Sequence, residues 1–211
     1  MNLYIKKLWQ DKFVRGTFLL TVVSFVASIF SFLVHPVVTR YLTVAEYGDF
    51  QALMAFTSLL GIITTVISTT LIREFSVLAD KKMAELEILR NKAIKVLFLF
   101  GFGVFVLIAF GSNFFSQIFK ISESIILLVA SIGFLYGFPL VANRAVLTGL
   151  QKFPELSLNS FLDSLSRFVL IAFFVAFLPF KLFGASIAFG FSGLVSFLFS
   201  FYQIKKINLP K

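Results

Sequence analysis

The chain has no cysteine and a single histidine, His35, among its 211 residues. That removes disulfides, thiolate metal sites and cysteine nucleophiles, and it leaves a zinc or di-metal centre short of ligands. Charge is scarce as well: 14% of the residues are charged, ten acids against nineteen bases. A soluble domain carries roughly 25%, so the chain lacks the polar material to cover a water-facing surface. Phosphate-loop, H-E-x-x-H and G-x-S-x-G patterns are missing, and any acid–base chemistry would fall to carboxylates alone. The sequence thus presents no enzyme constellation and calls for no cofactor or metal. What it does have is apolar: 59% hydrophobic residues, 31 Phe, and a mean hydropathy of +0.97. This is the composition of an integral membrane protein.

Six apolar stretches reach the roughly 20 helical residues that a bilayer core requires: 17–38, 50–72, 96–115, 124–142, 161–179 and 184–202. None alternates as an outer-membrane strand does, and backbone groups in lipid must be satisfied within the segment, so the spans are helices. The expected fold class is an all-α bundle of six transmembrane helices forming one domain over 1–211. The first span follows Lys6, Lys7, Lys12 and Arg15, as a secretory signal does. Its apolar run is too long for one and ends without a cleavage pattern, so it reads as retained.

Basic residues set the orientation. The N-terminal segment, the 73–95 segment (Arg73, Lys81, Lys82, Arg90, Lys92, Lys95), the connection bearing Arg144 and Lys152, and the tail (Lys205, Lys206, Lys211) all fall on one side. Arg40, Lys120 and Lys181 fall on the other. The positive-inside rule then puts both termini in the cytoplasm of a cell-membrane protein. The net charge of +9 is thereby a topology signal, and nucleic acid is not an expected partner. Segment 73–95 mixes both signs in the manner of a solvated amphipathic helix on the cytoplasmic surface, drawn to anionic headgroups.

Several spans carry patterned faces. Thr17, Thr21, Ser24, Ser28, Ser31 and His35 fall along one side of span one, and Thr57, Gly61, Thr64, Thr65 and Ser68 along one side of span two. Close helix packing and the lining of a wet cavity both explain such stripes; two of them on adjacent helices favour a cavity. Gly184, Ala188, Ser192, Ser196 and Ser200 recur every four residues in span six, and Gly133 and Gly137 mark span four. Both read as packing seams. Asp163 and Arg167 share a face of span five and can pair across one turn. Each costs about 2.5–3.5 kcal/mol at mid-span, against about 0.3–0.6 kcal/mol returned by each large apolar neighbour. An interfacial ion pair and an anion site at the mouth of a cavity are both open readings. His35 is either a hydrogen-bonded packing residue or a proton carrier.

The run Thr39-Arg40-Tyr41-Leu42-Thr43-Val44-Ala45-Glu46-Tyr47-Gly48-Asp49-Phe50, between spans one and two, resembles the arginine-leading, Glu-Tyr-Gly-ending junction of polysaccharide-biosynthesis flippases. These belong to the multidrug/oligosaccharidyl-lipid/polysaccharide exporter superfamily. Where the family commonly has Gly-Pro after the leucine, this chain has Thr43 and Val44. Arg73 at the close of span two, and Asn143-Arg144-Ala145-Val146-Leu147-Thr148-Gly149-Leu150-Gln151-Lys152-Phe153 after span four, are similar to the family pattern at the matching places.

The resemblance implies a transporter of two six-helix lobes, of which this chain supplies the N-terminal one. A second lobe or a second copy would then be its partner, alongside the bilayer. It implies alternating access that moves a polyprenyl-diphosphate-linked oligosaccharide to the outer leaflet. Arg40, Arg73, Arg144 and Arg167 are the candidate phosphate-binding cations, since guanidinium forks suit phosphate oxygens. Ser24, Ser28, Ser31, Thr64 and Ser68 would line the sugar path; Asp163, Arg167 and His35 are candidates for coupling. Two other readings stand beside it: an exporter of drugs or metabolites driven by an ion gradient through Asp163, and a non-transporting accessory subunit of a polysaccharide synthase.

Overall fold

A computed structural model of the chain describes residues 12–81, 83–177 and 181–207. Among these residues there are helices and turns but no strands. The helices are α1 (Lys12–Tyr41), α2 (Val44–Lys81), α3 (Met83–Phe119), α4 (Ser124–Ser131), α5 (Phe134–Gly149), α6 (Phe153–Phe177) and α7 (Lys181–Lys206). Six segments are long and apolar enough to cross a bilayer: Val14–Tyr41, Val44–Ala79, Met83–Phe119, Ser124–Gly149, Phe153–Phe177 and Lys181–Lys206. The protein is an all-α, multi-pass membrane protein.

Three of the spans differ from their expected form. At 1.5 Å per residue, α2 and α3 are each about 55 Å long, well beyond the ~30 Å of a hydrocarbon core. Segment 73–95 is therefore not a separate surface helix; it consists of the prolonged ends of α2 and α3. Span four is interrupted at Ile132–Gly133. There Ile132, Gly133 and Leu135 donate to carbonyls three residues back, Val129, Ala130 and Ile132, a local tightening of the helix. The expected end of span five, 178–179, lies outside the described residues, as do Lys6, Lys7, Lys82 and Lys211.

The turns have local chemical causes. Thr43 and Glu46 form a capping box at the start of α2. The Glu46 carboxylate accepts from the Thr43 N–H at 2.7 Å, and the Glu46 N–H donates to the Thr43 hydroxyl at 3.3 Å. At the end of α5, Lys152 N–H donates to Leu147 O (2.8 Å) and Gln151 N–H to Thr148 O (2.9 Å), with Gln151 at φ 54°. This is a Schellman ending with a non-glycine in the left-handed position. Lys120 (φ 54°) ends α3 in the same way, its N–H bonded to Gln117 O and that of Ile121 to Ser116 O. Helices joined by such short turns run antiparallel, which gathers Arg73, Arg90, Lys92, Lys95, Lys152, Lys205 and Lys206 toward one end of the bundle.

In packing, α1 lies along α6, α6 along α7, and α5 against α2, α3 and α7, while α1 and α2 meet only briefly. The α1–α6 contact is aromatic, with Phe30 edge-on to Phe161 and tilted against Phe168. The α7 seam behaves as its spacing predicts: Gly184, Ala188, Ser192, Ser196 and Ser200 are all buried. A Cβ on Gly190 would sit 2.7 Å from the Val129 carbonyl oxygen, and one on Gly184 2.9 Å from that of Phe174. Small residues are what allow α7 to approach α4 and α6 so closely. Large apolar side chains such as Phe25, Phe32, Leu99 and Phe110 point outward, where lipid is the solvent.

Candidate functional site

The interruption in span four opens onto a cavity of about 350 Å³, at the small end of the roughly 300–1,000 Å³ typical of ligand pockets. Thr57, Ser58, Gly61 and Thr64 of α2 line one side; Tyr136, Arg144, Asp163, Arg167, Ser192 and Gly193 line much of the rest. Asp163 lies ten residues into α6, about 15 Å from its start, and Arg167 is near the midpoint of that helix.

Three charges meet here. Arg144 Nη2 is 3.1 Å and Arg167 Nη2 3.8 Å from the same carboxylate oxygen, Asp163 Oδ2. The i,i+4 pair expected on span five is thus present, but the shorter contact comes from a different helix. Each guanidinium is held by a further group. Arg144 Nε donates to Asn159 Oδ1 at 2.8 Å, and the fully buried Asn159 in turn donates to Ser196 O at 2.9 Å. Arg167 lies over the Phe189 ring, 5.3 Å from its centroid, a cation–π contact that strengthens in a desolvated setting. The Ser166 hydroxyl, donating to Ser192 O at 2.9 Å, further fixes α6 on α7.

Donors outnumber acceptors. Arg144 Nη2, Arg167 Nε and the hydroxyl of Tyr136, a residue only 6% exposed, are buried without a hydrogen-bond partner. The Arg144 contact with Asp163 is accordingly an ion pair, not an aligned hydrogen bond. Thr57 and Thr64 donate to carbonyls of their own helix, Leu53 O and Met54 O for the first and Gly61 O for the second. With two cations, one anion and unfilled N–H and O–H groups, the cavity is chemically suited to an anion with several oxygens.

The sequence candidates divide sharply. Arg144, Arg167, Asp163 and Thr64 line this cavity. Ser24, Ser28 and Ser31 do not: they sit on the exposed side of α1, away from its α6 contact, and Ser28 donates to Ser24 O. Stripes on α1 and α2 therefore do not share this chamber, because α1 packs on α6 and leaves α2 to α5. Ser68 and the exposed Arg73 lie farther along α2, outside the lining. Arg40 is exposed beside a separate apolar groove bordered by Pro36, Val37, Phe173 and Phe177. His35 belongs to a cluster that ties α1 to α2, its Nδ1 3.1 Å from Gln51 Nε2 and 3.3 Å from the Tyr47 hydroxyl.

Sequence reasoning missed Tyr136, which lies between the two glycines of the span-four packing seam, and Asn159, which falls just before the expected start of span five. It also placed Arg90 on a solvated surface. Arg90 is 7% exposed, its Nε donating to Asn143 Oδ1 at 2.9 Å and its guanidinium 5.3 Å over Phe201.

Residues 13–211 match the family model described as "Polysaccharide biosynthesis protein". The chain belongs to that family. The match runs through every helix described above, and both turn motifs, the Thr43–Glu46 capping box and the Gln151 helix ending, lie inside it. Membership places this family member in the synthesis or transport of polysaccharide, in a family made up typically of transporters rather than enzymes. No match was found among curated proteins or among solved structures.

Proposed function

We propose that this polysaccharide-biosynthesis family member moves a polyprenyl-diphosphate-linked oligosaccharide across the cytoplasmic membrane by alternating access, with both termini in the cytoplasm. The observation that carries the reading is the convergence of Arg144 and Arg167 on one carboxylate oxygen inside a membrane-embedded cavity. Charges at such depth are costly, and they recur where an ion or polar group must travel. A diphosphate offers the several oxygens that the unfilled donors lack. Lipid-facing walls would let the isoprenoid tail remain in the bilayer while the headgroup enters. A second six-helix lobe, or a second copy, completes the pathway in this reading, since α1 and α2 are barely joined along their length and leave polar hydroxyls unscreened.

The test is a leaflet assay. Protein reconstituted in vesicles, alone and with a second lobe supplied, should move a labelled lipid-linked oligosaccharide, and Arg144→Ala with Arg167→Ala should abolish the movement. Failure of the wild-type protein in both settings rejects the proposal. If transport of a different solute persists and is lost in Asp163→Asn, the gradient-driven exporter takes its place. If no solute moves, an accessory role remains.

A further inference from the structure

Asp163 is placed oddly for a simple structural bridge. Both guanidinium groups approach one of its oxygens, Oδ2, at 3.1 and 3.8 Å. The other, Oδ1, faces Gly193, where even an added Cβ would stand 4.0 Å away. That same Cβ would lie 3.4 Å from the Tyr136 ring. The absent side chain at position 193 thus leaves space between the carboxylate and the tyrosine. The residues lining the same cavity carry three buried donor atoms that make no hydrogen bond: Tyr136 Oη, Arg167 Nε and Arg144 Nη2, the last held only by its ion pair with Asp163. A carboxylate is planar with two oxygens and one negative charge; it serves two guanidinium groups incompletely and does not satisfy the tyrosine hydroxyl. A phosphate or diphosphate has more oxygens, more charge and a tetrahedral spread.

We infer that Asp163 is an internal stand-in for the anionic ligand: a diphosphate displaces its carboxylate from Arg144 and Arg167 and takes a hydrogen bond from the Tyr136 hydroxyl. Tyr136 is thereby a ligand-binding residue and Asp163 a built-in competitor that offsets one of the two positive charges when the site is empty and weakens anion binding enough to permit release. The inference rests on the cavity being a diphosphate site, as proposed above, but not on transport itself. It makes an unusual demand. Removing a bridging carboxylate normally loosens the arginines it holds, whereas removing a competitor tightens the site.

The experiment measures equilibrium binding to the full chain in neutral-detergent micelles, with inorganic pyrophosphate and farnesyl diphosphate as separate probes. Asp163→Asn should bind pyrophosphate at least tenfold more tightly than wild type, and Tyr136→Phe about three- to tenfold more weakly. Equal or weaker binding by a helical, monodisperse Asp163→Asn protein overturns the inference. Should that variant fail to fold, Tyr136→Phe decides alone, and wild-type affinity in it overturns the inference. Tighter binding of farnesyl diphosphate than of pyrophosphate identifies a lipid carrier as the source of the anion; equal binding identifies a free diphosphate, and displacement stands in either case. Binding that responds as stated, without transfer in the leaflet assay, sustains this inference while rejecting flipping. Transfer with unresponsive binding does the reverse.

Discussion

Asn143→Ala should be among the most damaging substitutions outside the cavity. Asn143 is fully buried and serves two helices at once, accepting from Arg90 Nε of α3 at 2.9 Å and donating to the Ser200 hydroxyl of α7 at 2.7 Å. A hydrogen bond to a charged group contributes about 1.5–3 kcal/mol and a neutral one about 0.5–1.5 kcal/mol. Truncation therefore costs about 2–4.5 kcal/mol, with Arg90 Nε left without its acceptor against the Phe201 ring. Replacing both partners should restore much of the loss, since an apolar pair of similar shape leaves no buried charge or lone acceptor. The assay is a double-mutant cycle on Arg90→Met and Asn143→Leu, read by unfolding in mixed micelles with increasing denaturing detergent. A coupling of about 1–3 kcal/mol is expected for groups in one network. Strict additivity of the two single changes would refute the reasoning.

Other substitutions probe the backbone devices. Gly190→Val forces α7 off the Val129 carbonyl and should cost about 1–3 kcal/mol, whereas Gly137→Ala, with no atom within 4 Å of its would-be Cβ, should leave thermal unfolding in micelles unchanged. Gln151→Gly relieves a left-handed side-chain position (φ 54°) and should stabilise the protein by about 1 kcal/mol, seen as a raised melting temperature. Thr43→Val removes the hydroxyl of the α2 capping box and should cost about 1 kcal/mol, detectable as faster hydrogen exchange at Val44–Tyr47.

Much of the architecture was legible because lipid imposes a one-dimensional rule. A backbone that cannot bond to solvent must be helical, and a helix must be apolar for long enough to cross, so spans can be counted along the chain. The α7 seam was legible for a related reason: residues four apart share a face, and small ones there have little use except close approach. The Asp163–Arg167 pair was visible because its partners lie one turn apart. Arg144 was nominated only as a cation, since nothing in its spacing from Asp163, nineteen positions away on another helix, shows that they meet. The serines of α1 show the opposite limit, for they lie outside this cavity. A hydroxyl in a membrane helix can satisfy itself on its own backbone, as Ser28 does on Ser24 O, and so need not mark a cavity.

Arg90 shows the same division from the other side. Composition alone counts it among the bases at one end of the protein, which is where it is; only the packing of α3 against α5 and α7 shows it buried against Asn143 and Phe201. Local chemistry and the bilayer's demand on the backbone determined the helices, their turns and the side on which charge gathers. The tertiary structure decided which faces touch, that span four breaks beside the cavity, and that two arginines from different helices share one carboxylate oxygen. These are contacts between distant positions, set by the packing of whole helices, and no short-range period in the chain encodes them.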